Sequence, residues 1–97
     1  MADYLVCYDI DTVSSGGERR LRQVAKTCEG FGVRVQQSVF ECVLGEPDRL
    51  RLVARLRGII DDTRDNVRIY PLVGDARLRV VSLGRTRHVD TRDPLIF

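Results

Sequence analysis

Ninety-seven residues with a hydrophobic fraction of 43% make one domain with a single, thin core. The formal net charge of +2, from 16 basic and 14 acidic residues, argues against a plain electrostatic glue for nucleic acid. Three cysteines and one histidine without ligand spacing argue against a zinc site. With no signal peptide and no long apolar stretch, the expected compartment is the cytoplasm, with no membrane association.

Asp3 to Ile10 is a short β-prone run that predicts a buried central strand, and Asp11 to Gly17 is a turn-rich loop. From Glu18, apolar residues recur at Leu21, Val24, Ala25, Cys28 and Phe31, the spacing of a helix with one apolar face. Gly30 and Gly32 supply its stop. Val33 to Leu44 is strand-like but changes phase: Val33 and Val35 share one face, Phe40, Cys42 and Leu44 the other. A sharp bend near Gln37-Ser38, or two short strands, is therefore expected. Pro47 fits the first position of a second helix, which carries an apolar stripe of Leu52, Val53, Leu56, Ile59 and Ile60. Asp61 to Asn66 reads as a polar connection. Val67 to Val73 reads as a strand in which Pro71 marks an edge or a bulge. A shorter strand is expected over Leu78 to Leu83. The tail, 84–97, is polar and then ends in Pro94-Leu95-Ile96-Phe97.

This order is β-α-β-β-α-β with an extra C-terminal strand. It predicts an α+β fold, a ferredoxin-like sandwich spanning residues 1–97 with both helices on one face of an antiparallel sheet. The first and third strands are apolar in nearly every position, so the open sheet face needs cover. A homodimer packed through that face supplies it, and the apolar end of the tail is placed to reach the partner subunit. Cys7, Cys28 and Cys42 each lie in apolar runs, so buried free thiols are expected.

Asp9 closes the first strand and Asp11 follows it. Carboxylates at a rigid strand end beside a wet loop suit a hard divalent cation, although an Asp there also starts turns through its own side chain. Arg19, Arg20 and Arg22 open a helix after Gly16-Gly17, an arrangement that brings backbone donors and guanidinium groups to an anion. The ordinary reading is a solvated basic face, but basic residues there oppose the helix dipole, and that local cost favours a functional reason. Fifteen of the sixteen basic residues are Arg, which offers a planar fork to phosphate, but a GC-rich genome produces the same skew. No Ser or Cys nucleophile has a plausible histidine base, and Gly16-Gly17 lacks the Lys and spacing of a P-loop.

Taken together, Tyr8-Asp9-Ile10, the Gly-Gly/Arg-Arg helix start and the segment from Gly32 to Glu41 (Gly-Val-Arg-Val-Gln-Gln-Ser-Val-Phe-Glu) resemble the Cas-two family of CRISPR-associated proteins. The resemblance covers roughly residues 4–73, and the Asp65 to Leu72 segment also fits the family's Asp-x-x-x-x-Tyr-x-Leu run. The longer loop with Gly16-Gly17, Cys28 and the Asp-Pro-Leu-Ile-Phe ending is similar to members from type I-C systems. This likeness implies a symmetric dimer in which Asp9 of each subunit faces its mate and the pair holds Mg²⁺ or Mn²⁺. It carries nucleic-acid binding to Arg20 and Arg22, with Arg19 an alternative, and substrate handling and site shape to Arg34 and Phe40. Asp11 is a weaker metal candidate.

The activity so implied is metal-dependent endonuclease chemistry, hydrolysis of phosphodiester bonds in RNA or double-stranded DNA during CRISPR adaptation. The alternative within the family is a non-catalytic dimeric scaffold that bridges the CRISPR integrase and binds protospacer DNA. Outside the family, a small RNA-binding domain would display stacking aromatics on its open sheet face, and few are present here.

Overall fold

Alternating apolar residues and the helical stretches between them give six elements in the computed structural model, which describes residues 1–74 and 79–85. They are β1 (Ala2–Asp9), α1 (Gly17–Glu29), β2 (Gly32–Gln36), β3 (Val39–Leu44), α2 (Glu46–Ile59) and β4 (Asn66–Leu72). The strands form one antiparallel sheet in the order β2-β3-β1-β4. The phase change in the middle of the chain is the turn at Gln37-Ser38 between β2 and β3, with a register shift between Arg34 and Gln36. Pro71 lies on β4, an edge strand, where a missing N–H costs the ladder least.

β1 is central because both its faces are apolar. Val6 is opposite Phe40 on β3 and Ile69 on β4, while Tyr8 lies level with Val67. Val6, Tyr8, Phe40, Cys42 and Leu44 form the helix-facing side of the core with Val24 and Cys28 of α1 and Leu52 and Leu56 of α2. Full burial of each large aliphatic or aromatic side chain stabilises the fold by about 1.5–3 kcal/mol, so this one layer holds most of the molecule's cohesion. The other face carries Leu5, Cys7 and Asp9 of β1, Val33 and Val35 of β2, Val39, Glu41 and Val43 of β3, and Arg68 and Tyr70 of β4, by strand alternation.

Three expectations need correction or restriction. The shorter strand over Leu78 to Leu83 does not form across its described part: Arg79 to Leu83 joins no ladder. β1 is already paired on both sides, so a further strand would have to add at the β2 or β4 edge, and this segment pairs with neither. Val80 to Leu83 instead flank a groove of about 500 Å³ over the open sheet face with Leu5, Cys7 and Val39. The apolar end of the tail lies outside the described residues. Cys28 and Cys42 are buried free thiols, as expected, and burial pushes them up to about 12 and about 11. Cys7 is only partly buried, because it belongs to the open face. Among the described residues no helix is long and apolar enough to cross a membrane.

Candidate functional site

The C-terminal end of β1 brings together the loop after it, the start of α1 and the turn before β4. Asp9 is the last residue of β1, pairs in register with Asn66 and is exposed. By strand alternation its side chain shares the open face with Leu5 and Cys7. Among the described residues its carboxylate has no hydrogen-bonding or ion-pair partner.

Asp11, Asp61 and Asp65 nearby are engaged. Asp11 Oδ1 accepts from the N–H groups of Val13 (3.0 Å) and Ser14 (3.3 Å), and its Oδ2 lies 3.8 Å from Arg64 Nη1. The turn-forming role considered for a strand-end Asp therefore falls on Asp11, which leaves little of its carboxylate for a cation. Asp61 Oδ1 accepts from the N–H and hydroxyl of Thr63, which hold its carboxyl below the usual range. Asp65, with a side chain wholly buried, accepts four bonds. Its Oδ1 takes Asp11 N–H (3.0 Å) and Arg20 Nη2 (3.3 Å), and its Oδ2 takes Arg20 Nε (2.8 Å) and Asp61 N–H (2.8 Å). The Arg20 guanidinium holds this carboxyl below the ordinary carboxylate range, and the backbone donors add to the effect.

Arg20 differs from its sequence reading. Besides Asp65, it donates to the carbonyls of Ser15 (3.3 Å) and Asp11 (3.3 Å) and to Ser14 Oγ (3.1 Å). It is bound into the loop rather than presented to a ligand, because the left-handed Gly16 (φ 81°) turns the chain so that Arg20 sits back over residues 11–15. Gly17 N–H likewise donates to Ser14 O (3.0 Å). The anion site expected at this helix start has thus lost two of its donors to the fold. Arg19 and Arg22 are exposed and have no ion-pair partner among the described residues, so they remain the cations available to a phosphate.

Arg34 and Phe40 are also placed differently from a substrate-touching pair. Phe40 is wholly buried, stacked on Tyr8 with ring centroids 6.2 Å apart, so any influence on site shape passes through its neighbours, Tyr8 and Arg34 among them. The Arg34 guanidinium lies 5.1 Å from the Phe40 ring centre and donates to Tyr8 Oη at 3.4 Å. Its Nε is buried without a partner among the described residues. Arg34 is half committed to this aromatic stack and half-buried beside it.

Asp65 is the residue that the sequence reading missed as part of the site. It sat in what read as a polar connection, and its only sequence signal was its place at the head of the Asp-x-x-x-x-Tyr-x-Leu run.

A divalent ion at Asp9 fits the donor chemistry, a free hard oxygen ligand at a rigid strand end. One carboxylate is too few, and among the described residues no group of three or more His, Cys, Asp or Glu is placed to hold a metal. Further ligands would have to come from a second copy, from water or from phosphate.

Comparison with known proteins places the sequence and the fold. The family described as CRISPR associated protein Cas2 matches residues 1–80. The chain is 43% identical over 93 residues to the CRISPR-associated endonuclease Cas2 of Halalkalibacterium halodurans, covering 96% of this chain and 97% of that one. It is 48% identical over 93 residues to CRISPR-associated endoribonuclease Cas2 3 of Rhodospirillum rubrum, covering 96% and 98%. Among solved structures, Streptococcus pyogenes Cas2 at pH 6.5 superposes with a TM-score of 0.77 at 43% identity, covering 84% of this chain and 99% of that one. A chain of a partial Cas6-RT-Cas1–Cas2 complex superposes with a TM-score of 0.64 at 28% identity, covering 95% and 86%.

Proposed function

Given that the chain belongs to the Cas2 family of CRISPR-associated proteins, we propose that it is a metal-dependent endonuclease of CRISPR adaptation that hydrolyses phosphodiester bonds in RNA or double-stranded DNA. The observation that carries this reading is the contrast at the end of β1. Asp11, Asp61 and Asp65 are held by internal donors, while Asp9, at the rigid end of β1, is exposed and has no partner among the described residues.

The element order and the sheet order β2-β3-β1-β4 support a ferredoxin-like sandwich. Its apolar open face supports a two-fold dimer, which would bring a second Asp9 toward the first. The two carboxylates would hold Mg²⁺ or Mn²⁺; when bound, such an ion lowers the pKa of a ligated water and offsets negative charge on the scissile phosphate. Asp9 would hold the ion from a strand end paired with β4 through Asn66, two residues beyond the last β3 pair at Cys7. Arg19 and Arg22, free of ion pairs among the described residues, would steady the phosphate backbone and neutralise charge that develops on the phosphoryl oxygens.

Asp9→Asn keeps the shape of the side chain and removes its charge. Single-stranded RNA and duplex DNA are to be incubated with each protein, with and without Mg²⁺. Cleavage by the wild type only, abolished by a chelator, is the expected result. Equal cleavage by both proteins would remove Asp9 from the chemistry.

A second reading has its own observation, the superposition on a chain from a complex that also contains Cas1. In it the dimer is a scaffold that binds protospacer DNA and bridges the CRISPR integrase. Duplex binding that survives Asp9→Asn, without cleavage by either protein, would favour it.

A further inference from the structure

Asp9 has no side-chain partner to hold it among the described residues, so its position depends on its backbone, and that backbone is gripped from two sides. Two residues after it, the Asp11 N–H donates to Asp65 Oδ1 at 3.0 Å. Across the ladder, Asp9 pairs with Asn66, the residue that follows Asp65. Asp65 is fixed in turn by Asp61, whose N–H it accepts at 2.8 Å and to whose carbonyl it donates at 2.7 Å, and by Arg20 through Nε and Nη2. Arg20 extends the grip to the carbonyls of Asp11 and Ser15 and to Ser14 Oγ.

We propose that Asp65 is a positioning residue for Asp9. Its buried carboxylate ties the segment that leaves β1 to the turn that enters β4, and Arg20 is the cation that stabilises this carboxylate in the interior. The proposal rests on the reading of Asp9 as a metal ligand, and it assigns Arg20 to the same device rather than to substrate contact. A carboxylate is required because all four of its contacts arrive from donors: two N–H groups of the backbone and two of a guanidinium. Asn offers one oxygen, and in either flip its amide nitrogen faces donors that it cannot accept from. Groups that orient a metal ligand from behind change metal affinity or activity by about 10–100-fold when removed.

The test compares wild type with Asp65→Asn by two readouts. The first is amide hydrogen exchange, expected to accelerate about tenfold or more over residues 9–17 while the amides of Val6 and Leu52 keep their rates. The second is cleavage titrated with Mg²⁺, expected to need about tenfold more metal for half-maximal rate at an unchanged KM for the oligonucleotide. A variant that merely unfolds in part would lose amplitude in proportion to its folded fraction and keep the same metal midpoint. That result, or unchanged exchange over 9–17, would overturn the proposal.

If the wild type cleaves nothing, Mn²⁺-induced broadening of the Asp9 amide resonance supplies the metal midpoint for both proteins. Failure of the nuclease reading is thereby seen separately from failure of the positioning one. If Asp65→Asn does not fold, Arg20→Lys makes the same comparison. It retains a cation beside Asp65 but loses the forked donation to Asp65, Asp11 and Ser14, so the same two shifts are expected in smaller degree.

Discussion

Three arginines crowd one helix start, and their surroundings sort them. Arg20 has a side chain only 14% exposed and faces a carboxylate that is fully buried, so truncating it strands Asp65 as an unpaired interior charge. Arg20→Ala is expected to cost about 3 kcal/mol of stability, measured by urea unfolding. Arg19→Ala and Arg22→Ala remove exposed cations that have no ion pair among the described residues, and should leave stability within about 0.5 kcal/mol of wild type. Their effect belongs in binding: weaker affinity for oligonucleotide and a shallower dependence on salt, by about one counterion for each phosphate that is no longer neutralised. The acid limb of stability follows from Asp65. A carboxyl depressed in the folded state stabilises fully above its ordinary value of 3.8, and that contribution is lost as pH falls through the lowered folded value. Wild type should therefore lose stability with acid more steeply than Asp65→Asn, which has no proton to take up at that position. Parallel pH profiles of the two unfolding midpoints would contradict this.

At the scale of elements, apolar phase was the legible part. The switch from Val33 and Val35 to Phe40, Cys42 and Leu44 located the β2–β3 turn, and Pro71 located an edge strand, because each signal is local and of period two. What stayed hidden depends on residues far apart in sequence. Nothing near Asp65 says that Arg20 will meet it across 45 positions, so a charged residue in a polar turn reads as solvated. The strand expected near Leu78 failed for a related reason: β-prone composition states a need for a partner without saying that one is available. Free Asp9 was readable as a ligand candidate, but only the structure shows that Asp11 and not Asp9 forms the turn. Element packing also has its own test in Gly32. A methyl group there would run into Cys42 Sγ and the Glu41 carbonyl on the neighbouring strand, so Gly32→Ala must push β2 off β3. A loss of about 1–3 kcal/mol is expected on thermal or urea unfolding, with exchange quickest in β2. A variant as stable as wild type would mean that this edge of the sheet yields easily.

For the whole molecule, the open sheet face decides whether Asp9 can act. Val43 and Tyr70 are each 37% exposed there, and Leu5, Cys7, Val35 and Val39 lie between them only partly covered. In the proposed dimer a second copy would bury this face, and its two-fold would carry Asp9 with it. Association and metal binding would then be one equilibrium. Two carboxylates drawn together repel, an ion between them reverses the sign, and any such repulsion of about 1.4 kcal/mol changes the dimer dissociation constant tenfold. Sedimentation across a dilution series should show a wild-type dimer that tightens with Mg²⁺ and loosens with chelator. Asp9→Asn removes both the charge and its need for an ion, so its dimer should be at least as tight as the chelated wild type and indifferent to Mg²⁺. Leu5→Glu, which places a charge in the middle of the face and leaves the helix-side core intact, should give a folded monomer without metal-dependent cleavage. A wild-type dimer whose dissociation constant ignores Mg²⁺ would show that the two Asp9 side chains do not face one another, and the shared-ion arrangement would fall even if the dimer itself stood.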